Sequence, residues 1–196
     1  MTEVNALPKW RSLPKLPVAR LKDIELKLGS HTARDNGLCI MEAVAWVAGE
    51  PHSDHPTCAS KVISGFLRNW NDSLQSDEDR KRLLRPLIPL LVKTNASKAV
   101  EVKRSWMAFD WLVRECLPTW LELAKIDTAA KLRALKPMTN KITLDAGIPV
   151  IEKSRSKSAA TAVAARDAAS KRLAPTVAAL QHSAVKLVRR MIACKR

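Results

Sequence analysis

In the stretch PHSDHPTC, His52, His55 and Cys58 stand three residues apart, with Asp54 between the two histidines. Imidazole, carboxylate and thiol groups at that density can bind a metal ion or relay protons. Cys39 or His31 would complete a mixed nitrogen and sulfur set of the kind zinc accepts, and such a site would staple the loop to the helix before it. The spacing matches no standard zinc finger or ribbon, and the chain has no CxxC pair. The competing assignment has His52 and His55 capping the next helix while both thiols pack as small apolar groups. No cofactor is the default expectation, and zinc is the one to test.

A second chemistry centres on Cys39. It follows Asp35-Asn36-Gly37-Leu38 near the start of a helix, where the helix dipole favours a thiolate. With Glu42 on the same helix face and His55 in the following loop, a cysteine-dependent enzyme is one reading of the run. Glu42 is the only residue between 38 and 48 that is neither apolar nor Cys. A lone carboxylate in such a helix is costly unless it is paired or hydrogen-bonded. It is expected to pair with Arg34, Arg68, Arg104 or Arg114, or to bond to a helix N-terminus, rather than to act as a general base.

Helices must position these groups. The run 38–48 reads as a helix buried on nearly all sides, closed by Gly49 as its C′ residue. The pattern predicts a second helix from about Pro56, capped by Asp54 or His55, with Val62, Ile63, Phe66, Leu67 and Trp70 on one stripe. Ser76 before Asp77-Glu78-Asp79 marks a third helix start. Pro86 and Pro89 divide the next segment into short pieces, and Ser97 opens the longest clear helix, which Pro118 ends or restarts. A shorter helix is expected over 127–136. Residues 24–28 alternate and precede Gly29-Ser30, which suggests a short strand.

The charge pattern points to a different part of the chain. Net charge is +15 over 196 residues, yet residues 36–80 hold three basic and seven acidic groups, while 126–196 hold fifteen basic and four acidic. Such a field favours nucleic acid, an anionic surface or an acidic protein partner, without conferring sequence specificity. The last helix carries Val177, Leu180, Ala184, Leu187, Val188, Met191 and Ile192 on one stripe, with Lys186, Arg189, Arg190, Lys195 and Arg196 largely off it. That helix could therefore track phosphates, or join a homo-oligomer through its apolar stripe. Of six tryptophans, Trp10 lies between Lys9 and Arg11 on a Pro-containing arm and is the best candidate for stacking or docking.

Four scattered cysteines make no disulfide framework. No transmembrane segment or secretory leader is legible, so the expected location is cytoplasmic. The expected organisation is all-α: a basic arm over 1–28, a helical core domain over 29–136, a linker over 137–151 and a basic, Ala-rich helical extension over 152–196.

GLCIMEAVAWVAGEPHSDHPTC, VISGFLRNWND, DRKRLLRPLIPLLV and RSWMAFDWLVRECLPTWLELA together resemble a group of uncharacterised bacterial and phage-borne proteins of actinobacterial type. The resemblance spans about 29–135 and is most specific around Cys39–Cys58. It implies an association with mobile elements and assigns no catalytic residues. The leading expectation is a non-enzymatic protein that binds nucleic acid or an acidic protein through a basic surface. The alternatives are the enzyme centred on Cys39 and a structural assembly subunit.

Overall fold

Ile40–Ala48 forms helix α1, and its first six residues, Glu42 included, are all buried. Gly49 ends it in the left-handed region at φ 74°, where Glu50 N–H donates to the Ala45 carbonyl and Gly49 N–H to that of Trp46. This paired closure is what a glycine at C′ makes available. The computed structural model describes residues 18–32, 37–161 and 170–194. Trp10, Arg11, Arg34, Lys195 and Arg196 lie outside them.

The described chain is all-α and divides into two compact units between Glu101 and Val102, within one helix. In the first unit α1 packs against α2 (Lys61–Ser73) and against the short α4 (Ile88–Leu91), with α3 (Asp77–Leu84) between them in sequence. Ile40, Met41, Ile63, Leu67, Leu84, Leu87, Ile88 and Leu91 are fully buried and make its core. The strand expected over 24–28 is reduced to one parallel bridge, Leu26 to Leu38, flanked by irregular backbone. No neighbouring strand exists among the described residues to extend that ladder, so the alternating pattern serves only to bury Ile24 and Leu26. At this bridge Gly37 has φ 98°, and a Cβ there would meet the Lys27 side chain at 2.8 Å.

Helix α2 begins at Lys61, five residues later than expected. Ser60, not Asp54 or His55, is the cap: its hydroxyl accepts from Ile63 N–H at 3.2 Å. Serine outranks histidine as a cap because its short oxygen reaches the first-turn amides. Ser76 caps α3 as expected, at 3.1 Å from Asp79 N. Buried Arg80 ties the two helices together, donating to the carbonyls of Asn71 and Leu74 and to Asp77.

In the second unit the chain runs helically from α5 (Lys98–Trp111) through one π-helical stretch, Leu112–Cys116, into α6 (Leu117–Leu123). Pro118 takes the second position of α6 and so restarts the helix rather than ending it. It lacks an N–H and crowds the preceding turn, and the widened turn in front of it absorbs both effects. The short α7 (Ala129–Arg133) and α8 (Lys141–Thr161) come next, and α9 (Ser170–Ala193) closes the chain.

The linker expected over 137–151 is overturned. Residues 141–151 belong to α8, and Met138, Val150 and Ile151 pack with Val113, Leu121, Ile126 and Leu132 in this unit's core. Pro149 and Pro175 both lie inside helices, so proline punctuation misplaced these boundaries. On α7, Ala130 is exposed, while Leu132 is fully buried.

Candidate functional site

Glu42 sits at the third position of α1 and folds back on the helix start. Its Oε2 accepts from Cys39 N–H at 2.7 Å, and Cys39 Sγ accepts from Glu42 N–H at 3.5 Å, a reciprocal capping box. The same carboxylate accepts from His31 N–H at 2.6 Å through Oε1 and from His31 Nδ1–H at 3.0 Å through Oε2. His52 Nε2–H donates to the His31 carbonyl at 2.7 Å and lies 3.7 Å from Glu42 Oε1. The Glu42 side chain is 1% exposed. Three segments thus converge on one buried acceptor, which binds them together.

Among the described residues no arginine joins this cluster; Arg34 lies outside them. Arg68 donates to the Asp54 carbonyl, Arg114 to Asp110, and Arg104 to the carbonyl of Met191. The expected bond to a helix N-terminus is realised, and the histidine loop supplies further donors. Buried Asn71 completes the joint: its side chain donates to the Lys27 carbonyl at 2.9 Å and accepts from Ile40 N–H at 3.4 Å.

The arrangement works against a thiolate at Cys39. Burial pushes its thiol up from 9.0 to about 12, and the nearby charges of Glu42 and Asp54 act in the same direction. Cys39 is 3% exposed, and the cleft of about 310 Å³ that it borders also holds Asp54 and Asp72. The favourable helix start is outweighed by desolvation and two carboxylates.

The metal-ligand candidates separate into two places. His31, His52 and Cys39 surround Glu42, and the two histidine nitrogens directed there act as N–H donors to oxygens. His55 lies elsewhere, 67% exposed, with Nδ1 2.6 Å from Asp54 Oδ1. Cys58 is half-buried beside Glu50, where burial first and the Glu50 charge second raise its thiol to about 11. Glu50 accepts from Thr57 N–H at 2.7 Å and from its hydroxyl at 2.8 Å, which fixes the loop. Among the described residues no three of His, Cys, Asp and Glu are grouped to hold a metal ion. Neither histidine caps α2, whose cap is Ser60, while Cys39 does pack as a buried thiol.

Of the basic candidates, Lys186, Arg189 and Arg190 lie on α9. Ala184, Leu187, Val188 and Met191 are buried, while His182, Lys186, Arg189 and Arg190 are exposed on the opposite side. Residues 182–190 occupy about 12 Å of helix axis. The helix is held by Arg104, 3% exposed, whose Nε donates to the Met191 carbonyl at 2.9 Å and Nη2 to that of Cys194 at 3.3 Å. Trp111 Nε1–H donates to Ser183 Oγ at 2.7 Å. Four acids of this unit are matched within it: Asp110 with Arg114, Glu122 with Arg133, Asp127 with Lys157 and Asp145 with Lys141. Their partners hold Glu122 and Asp127 below the ordinary carboxylate range.

No protein-family model, curated protein or solved structure matches the chain. Among the described residues no helix is long and apolar enough to cross a membrane.

Proposed function

We propose that the chain is a non-enzymatic, mobile-element-associated binding protein that engages the phosphates of nucleic acid through the basic face of α9. One observation carries this reading: α9 buries Ala184, Leu187, Val188 and Met191 of its apolar stripe within its own unit, which leaves Lys186, Arg189 and Arg190 on the exposed face. An amphipathic helix whose stripe was vacant would favour a protein partner or a second copy. Here homo-oligomerisation through Leu187, Val188 and Met191 would require α9 to leave its packing first.

The charge distribution supports the same reading. Residues 102–196 hold 19 basic and 7 acidic groups, a net +12 of the chain's +15. Helix α8 adds exposed Lys153 and Arg155. Phosphate contacts of this kind give affinity and orientation without reading bases. An acidic protein is the competing partner, because it would be drawn by the same field.

Fluorescence anisotropy with a labelled duplex and a labelled single strand tests the proposal. Wild type is expected to bind at low salt, and K186Q/R189Q/R190Q to bind at least tenfold more weakly with unchanged helicity. Equal affinity of variant and wild type would overturn the assignment to α9.

A further inference from the structure

The first unit contains a feature that neither the Glu42 cluster nor α9 accounts for. An open groove of about 770 Å³ runs between α2 and the start of α5. One stripe of α2, Lys61, Ser64 and Arg68, lines one wall at positions i, i+3 and i+7, and Lys98 and Glu101 line the other from the first turn of α5. Two long-range bonds fix the rim: Ser60 N–H to Thr94 Oγ1 at 3.0 Å, and Asn95 N–H to the Cys58 carbonyl at 3.1 Å.

The charge of this groove opposes that of its surroundings. Residues 36–80 contain only three basic residues, Lys61, Arg68 and Arg80. Arg80 is buried in the α2–α3 joint, and the other two both face the groove, joined there by Lys98. The single acid on the wall, Glu101, turns Oε2 to the start of α2, accepting from Ser60 Oγ–H at 2.7 Å and Val62 N–H at 3.1 Å. Asp54 stands behind the wall. Its Oδ1 accepts from His55 Nδ1–H at 2.6 Å, its carbonyl accepts from Arg68 Nη1–H at 3.0 Å, and Oδ2 lies 3.9 Å from Arg68 Nε. These contacts hold His55 and Arg68 at the groove's edge.

Ser64 supplies an independent sign of a ligand. It is 4% exposed, it lines the groove, and its Oγ has no hydrogen-bond partner. A buried hydroxyl without a partner destabilises the fold unless a ligand completes it. Exposed Ala96, with buried Pro56 and Ala59 beneath, makes the rest of the lining apolar.

We propose that this groove binds a small phosphate monoester with a flat apolar body, of the nucleoside monophosphate class, with its phosphate on Lys61, Lys98 and the Ser64 hydroxyl. The site is separate from the α9 face, and either assignment can fail without the other.

Isothermal titration calorimetry on the full chain tests it, with AMP, adenosine and inorganic phosphate as probes. AMP is expected to bind, with adenosine and phosphate each at least tenfold weaker. K61Q/K98Q should weaken AMP at least tenfold, whereas K186Q/R189Q/R190Q should leave it unchanged. Ser64→Ala removes an unpaired hydroxyl, so it should stay folded and lose several-fold in AMP affinity. Absence of AMP binding at millimolar concentration would overturn the proposal. So would AMP affinity that survives K61Q/K98Q, or that depends on the α9 cations instead.

Discussion

Replacing Glu42 by glutamine changes one atom and tests whether this carboxylate is a structural acceptor. Each of its oxygens accepts from a backbone N–H: Oε1 from His31 at 2.6 Å and Oε2 from Cys39 at 2.7 Å. Whichever oxygen becomes the amide nitrogen, one buried N–H then faces a donor. That orphaned group costs about 1–3 kcal/mol, and the surviving bonds lose their charge assistance, so Glu42→Gln is expected to cost about 2–4 kcal/mol in total. Glu42→Ala removes the acceptor for both amides and for the His31 ring, and should cost about 3–5 kcal/mol. Urea unfolding followed by tryptophan fluorescence reads both, with the m-value unchanged. Glutamine within about 0.5 kcal/mol of wild type would refute the reasoning, because no surface-like substitution effect is compatible with two short bonds to a buried acid.

The same structure sets two further outcomes. Arg104→Met should loosen the end of α9 by about 1.5–3 kcal/mol, since two charge-assisted bonds to its final carbonyls are lost. Hydrogen exchange of the Val188–Ala193 amides would quicken in the variant, and unchanged rates would contradict this role. For Cys39, the folded-state value of about 12 lies above the ordinary 9.0, so the neutral thiol favours the folded chain. Its contribution is complete below pH 9 and is lost as pH rises towards 12, at up to about 1.4 kcal/mol per pH unit. The stability of wild type relative to Cys39→Ser should therefore fall across that window, and parallel pH profiles would rule the effect out.

The parts of this fold that sequence made legible are those carried by local pattern. The buried α1, its Gly49 stop, the Ser76 cap and the amphipathic α9 all rest on contacts within a few residues. The structural role of Glu42 and its bond to the helix start were readable from its isolation among apolar neighbours, but its histidine partner was not, since His31 lies in a polar loop eleven positions away. Arg104 bonding to the carbonyl of residue 191, 87 positions on, leaves no periodic trace at all. The α8 boundary failed for a related reason: Pro149 and Gly147 read as breakers, while the helix is retained by packing of Val150 and Ile151 on the second core. Histidine and cysteine spacing misled because residues three apart in a loop need not face one point. The groove was missed because its walls, α2 and the first turn of α5, meet only in three dimensions.

The most direct test of nucleic-acid binding by α9 is the salt dependence of duplex affinity. If Lys186, Arg189 and Arg190 each contact a phosphate, log K against log salt should be linear, with a slope at least as steep as about −2.7. The K186Q/R189Q/R190Q variant should flatten that slope by about 2.7, close to 0.9 per lost contact. A slope that is the same in both proteins, or no measurable binding at low salt, would contradict the proposed function.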